Sequence, residues 1–226
     1  DNVIARQAAH TKALYSVLAA GLARGHHGNP AAALRVERLY GCPVLLSGLA
    51  SLVLSTTELS SLELHYKQNL ESLQRLYKLT PAPVVYFLAG SLPASGLLHL
   101  RQFSLFLMIA KLVPDHILHQ HGTFILSSTD VAQSKFSWFC QVKSLCHRYS
   151  LPDPLYILQN PPTKDFFKRL AKQHVIDWWN VKLRDEANPV KLPSLEHFRA
   201  NLMSLSPPPT QSGHLQEAPH MKSGRP

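Results

Sequence analysis

The chain is short of charge. Asp, Glu, Lys and Arg make up 16% of its 226 residues, well under the roughly 25% of an average globular protein. So little charge predicts apolar surface that meets a partner or a further domain. Cysteine is scarce as well: Cys42, Cys140 and Cys146 are odd in number and irregular in spacing, which argues against a disulfide scaffold and for the reducing nucleus or cytosol. Long apolar runs are missing. The uncharged apolar run 43–54 falls well short of the roughly 20 residues that a bilayer-spanning helix needs, so no membrane partner is expected. The opening "DNVIARQAAHTKALYSVLAAG" lacks the unbroken apolar stretch of a signal peptide. There is no Gly-rich phosphate loop, no G-x-S-x-G, no HExxH and no pair of adjacent aspartates. No cofactor and no catalytic centre are therefore expected.

What charge there is leans one way. Lys and Arg number 23 against 14 Asp and Glu, a net +9, which favours phosphate-bearing partners such as RNA and DNA.

The apolar spacing is helical throughout and no strand pattern competes, so the predicted class is all-α. Val3, Ala8, Leu14, Leu18 and Leu22 recur near a 3.6 period until Gly21, Gly25 and Gly28 supply a stop. Asn29 is placed to cap a second helix with Pro30 at its first position, and Pro43 should kink or divide that helix. Ser55 and Glu58 form a capping box, followed by Leu59, Leu62, Tyr66, Leu70, Leu73 and Tyr77 at helical spacing. Pro93 opens an almost wholly apolar helix with Arg101 at its centre. A later helix carries Phe136, Phe139 and Leu145, and the last long one starts at Thr163 with Phe167, Leu170, His174, Trp178 and Val181 on one face. After Leu205 the chain turns to Pro, Ser and Gly, and a disordered tail over 206–226 is expected.

Most site candidates have plain explanations. Cys140 and Cys146 are six residues apart, about 600° around a helix and off a common face, so a metal pair is disfavoured. His116, His119 and His121 cluster, but 13 histidines make one such cluster expected by chance. Lys164, Lys168 and Lys172, with Arg169 beside them, draw a basic stripe along the last helix, suited to a phosphate backbone or simply to solvent. Lys67, Arg75 and Lys78 occupy the polar side of the capped helix, where Glu63 and Glu71 weaken a phosphate role. Trp178 and Trp179 are core anchors first and base-stacking residues second.

Several segments in order, "TKALYSVLAAGL", "GHHGNP", "YGCPVLLSGLASLVL", "LQRLYKLTP", "VVYFLAGSLPASGLLHLRQFSLFLMIAKL", "SKFSWFCQVKSLCHRYSLPDP" and "DFFKRLAKQHVIDWWNVKLRDEA", together resemble the post-palm region of reverse transcriptases of non-LTR (LINE-type) retrotransposons. The resemblance covers about residues 3–205 and rests on segment order rather than on any single motif. It implies a thumb-like bundle over 1–80, a helical connector over 81–205 and a tail, 206–226, that is a candidate out-of-frame reading. The family's metal-binding aspartates belong to the palm and are not found here. The expected activity is therefore non-catalytic: holding an RNA–DNA or RNA template-primer duplex through phosphate contacts from Lys67, Arg75, Lys78, Arg101, Lys164, Lys168, Arg169 and Lys172, beside a separate or upstream palm. Where many relatives have consecutive basic residues this chain has "YKQN". The alternatives are a helical protein-interaction module and a pseudogene product with no selected function.

Overall fold

A computed structural model of the chain describes residues 2–17, 19, 29–128 and 137–187. Its regular structure is helical, as the periodicity predicts. The expected glycine stop at 21–28, Phe136 and the tail lie outside the described residues.

Helix α1 (Asn2–Val17) buries Val3, His10 and Leu14. Helix α2 (Pro30–Val36) starts as expected: the Asn29 Oδ1 accepts the amide of Ala31 at 2.9 Å, and Pro30 takes the first position. The helical run continues through Pro43 to Leu45 but changes type ahead of it. The chain widens into a π-helical turn over Glu37–Gly41, with the Cys42 amide donating to the Glu37 carbonyl, before α3 (Cys42–Leu45). The wider turn relieves the carbonyl that the proline ring would otherwise strike. Gly48, at φ 76°, then turns the chain into a 3-10 turn at Leu49–Ser51.

Helix α4 (Thr56–Gln74) carries the complete capping box, with Ser55 Oγ accepting from Glu58 N–H and the Glu58 carboxylate accepting from Ser55 N–H. Leu62, Tyr66, Leu70 and Leu73 are buried as predicted. Tyr77 is not: Arg75 adopts the left-handed conformation at φ 57°, the helix ends there, and Tyr77 is 89% exposed. Periodicity counted past the end of the helix misplaced it.

Helices α5 (Ala82–Ala89) and α6 (Ala94–Ala110) follow, bent by 57° at their junction. Together they are long and apolar, yet no single helix among the described residues is long and apolar enough to cross a membrane. Helices α7 (Ile117–Ser127), α8 (Trp138–Arg148) and α9 (Pro154–Gln159) pack around the far end of α6, and α10 (Lys164–Glu186) lies along it. Phe103 meets Phe167, and Gly96 meets the indole of Trp179, so α6 and α10 run antiparallel. The buried stripe of α10 is Phe167, Ala171, Val175, Ile176, Trp179 and Leu183. This corrects the predicted face: Val181 is 70% exposed, and Trp179 takes the inward place.

One apolar core runs from Val3, Leu45 and Leu70 to Val85, Phe106 and Val175 without a break at residue 80. Helix α6 is apolar on most sides because α4, α8, α9, α10 and the 3-10 turn surround it.

Candidate nucleic-acid interface

Part of the charge in this sparsely charged chain is spent on helix ends. The Glu63 carboxylate, projecting from α4, accepts the amides of Ala94 at 3.1 Å and Ser95 at 2.8 Å, together with the Ser95 and Tyr86 hydroxyls. It thus caps α6 from outside, using the same orphan amides and favourable dipole that a local capping residue would use. Burial, and then the neighbouring Glu63, push the Tyr86 hydroxyl pKa up. Arg38 donates to the Ala89 and Gly90 carbonyls at the end of α5. Arg101, the cation inside the apolar helix, donates to the Pro43 carbonyl of α3 across a long 3.4 Å. It also opposes the effect of burial on the adjacent Cys42 thiol, which is pushed up to about 11.

The nominated cations therefore separate into groups. Lys164, Lys168, Arg169 and Lys172 are all exposed on α10, and none of the three lysines is ion-paired among the described residues. Lys168 and Lys172 rim a pocket of about 210 Å³ whose floor is Leu100, Phe103 and Phe167. Lys67 stands apart, 2.9 Å from the buried Glu71. It shares with Lys182 the rim of a second pocket of about 380 Å³ between α4 and the end of α10. Arg75 and Lys78 sit exposed beyond the end of α4 and line none of these pockets. Arg101 is half-buried and directed at α3. The α10 stripe is thus the coherent part of the predicted interface.

Three features escaped the sequence reading. Arg148 and Lys182 lie 5.8 and 5.3 Å from the centre of the Trp178 ring, and the lysine lies 4.6 Å from that of Trp179. The i, i+4 spacing of Trp178 and Lys182 was a legible signal for one of these contacts. The second feature is a buried polar chain in which Glu37 accepts from His10, which in turn meets His65. The third is the buried pair His99 Nδ1 and Tyr149 Oη, 2.7 Å apart.

The histidine cluster does not assemble as a metal site. His116 caps α7, His119 meets the Leu158 carbonyl, and His121 packs edge-on against Phe139. Among the described residues no group of three or more His, Cys, Asp or Glu side chains is placed to hold a metal. No family model, curated protein or solved structure matches the chain.

Proposed function

We propose that this chain is a non-catalytic, nucleic-acid-holding helical unit, related to the region that follows the palm in a LINE-type reverse transcriptase, which grips a template-primer duplex by its phosphates. The single observation that carries the reading is the row Lys164, Lys168 and Lys172. These cations recur every four residues on a rigid helix, exposed and without carboxylate partners among the described residues. Net +9 provides a favourable long-range field, and backbone contacts of this kind bring no base readout. A palm, supplied separately or upstream, would provide the chemistry.

Salt titration of binding to an RNA–DNA duplex tests the reading. Affinity should fall steeply between about 50 and 200 mM salt, and Lys164→Gln, Lys168→Gln and Lys172→Gln together should flatten the log–log slope by roughly two to three, about 0.7–0.9 per lost phosphate contact. A slope near zero, or one unmoved by the triple change, refutes it.

A second reading, a protein-interaction module, is favoured by the exposed Met108, Val113, Ile117 and Phe124 on and after α6, each at least 60% exposed. Partner binding that is insensitive to salt, with no duplex affinity, would select it.

A further inference from the structure

The chain has three tryptophans, and the structure puts them to different uses. Trp138 gives its indole N–H to the Ala50 carbonyl at 2.8 Å. Trp179 is buried against Gly96. Trp178, its neighbour in sequence, is half-buried and lines an open pocket of about 510 Å³ between α8 and the C-terminal half of α10. That volume falls within the ordinary range for small-ligand sites.

The walls of this pocket are chemically mixed. Tyr149 and Trp179 meet the Trp178 ring edge-to-face at 5.5 and 4.9 Å, which fixes its plane. Two cations from different helices, Arg148 and Lys182, converge on the same indole. His174 is oriented by the Tyr149 carbonyl at 2.9 Å. Asp177 and Asp185 also line the pocket, and both oxygens of Asp177 accept from Gln173 at 2.9 and 3.0 Å.

We propose that the Trp178 pocket seats one unpaired nucleotide of a single strand, its base stacked on the Trp178 indole and its phosphate met by Arg148 and Lys182. A held aromatic plane with two adjacent cations suits a π-faced base that carries a neighbouring phosphate, and such stacking tolerates any base. The two carboxylates make a run of phosphates unfavourable there, which limits the site to one nucleotide. This inference rests on the nucleic-acid reading but not on its lysine row, which lies in the other half of α10. The place it assigns is for a strand that leaves the duplex rather than for the duplex itself.

Two measurements test it. The first is a direct titration of the chain with an eight-nucleotide oligo-dT, followed by tryptophan fluorescence, in wild type, Trp178→Phe, Trp178→Ala and Arg148→Gln/Lys182→Gln. Quenching is expected in wild type and absent from Trp178→Phe, while Trp178→Phe, which keeps an aromatic face, should lose less affinity than Trp178→Ala when measured by anisotropy of a labelled oligonucleotide. Trp178→Ala and the exposed double variant should each lose at least about fivefold, the low end of what one base stack is worth. The double variant lies at the surface and guards against a folding artefact in Trp178→Ala. The second is a comparison of blunt duplex with duplex bearing a single-stranded overhang. Wild type should bind the overhang at least about fivefold more tightly, and Trp178→Ala should bind both alike. Equal affinity of wild type for blunt and overhanging duplex, or an oligo-dT affinity indifferent to all these changes, overturns the site while leaving duplex holding intact. Quenching by oligo-dT with no salt-dependent duplex binding has the opposite meaning: the site stands and the lysine-row reading falls.

Discussion

His10 Nε2 lies 3.0 Å from both carboxylate oxygens of Glu37, and both side chains are completely buried. His10 Nδ1 lies 3.0 Å from His65 Nε2, so one polar chain ties α1, the π turn and α4 together. Gly41 makes room for it, because a Cβ there would strike the Glu37 carboxylate and the His10 ring. Removing one partner of a buried pair leaves the other unsatisfied, at a cost of about 3 kcal/mol or more. Glu37→Ala and Gly41→Ala should each lower the unfolding free energy by about that much in urea titration. Wild-type stability in Gly41→Ala would mean that the pair is not held as described.

Acid should destabilise the fold through His99. Burial, with Arg148 nearby, holds its pKa down to about 3, against 6.5 for an ordinary histidine. Above 6.5 both states are neutral and the group is silent. Between 6.5 and 3 the unfolded chain binds a proton that the folded one refuses, so stability falls as pH falls, by about 1.4 kcal/mol per pH unit. His65, half-buried and held down to about 4 by burial and by His10, acts in the same direction until the pH nears 4. His99→Gln should remove about half of the slope between pH 6.5 and 5 measured by denaturant unfolding, and an unchanged slope would assign it elsewhere.

Glu63→Ala strips α6 of its cap and leaves the Ser95 and Tyr86 hydroxyls without their acceptor. A loss of about 2 kcal/mol is expected, along with faster hydrogen exchange at the Ala94 and Ser95 amides. Protection of those amides equal to wild type would show that the cap is idle.

Arg101→Met tests whether the buried-helix cation serves the fold or a ligand. Its bond to the Pro43 carbonyl is long, and a loss of about 1 kcal/mol in stability with unchanged duplex affinity is expected. A drop in affinity at unchanged stability would instead make Arg101 a phosphate contact.

Lys67 and Lys168 were nominated together and should part company. Lys67 is held by Glu71, so Lys67→Gln should leave the salt slope of duplex binding where it was, whereas Lys168→Gln should lower it by roughly 0.7–0.9. Equal effects from the two would place Lys67 at the duplex despite its ion pair.

The all-α class, the capping box at Ser55, the Asn29–Pro30 start and the helix irregularity at Pro43 were determined by the sequence alone, because each depends on a backbone valence or a period that neighbouring residues supply. The sharing of Glu63 with α6 and Arg101 with α3, the pairing of His10 with Glu37, and the choice of Trp178 over Trp179 as the outward indole were decided only by tertiary structure. These relations join residues up to 58 positions apart, and in α10 they follow from where α6 and α8 happen to pack. Helical periodicity marks which face is apolar on average. It does not say where a helix ends, as Tyr77 showed, nor to which neighbour each charge is given.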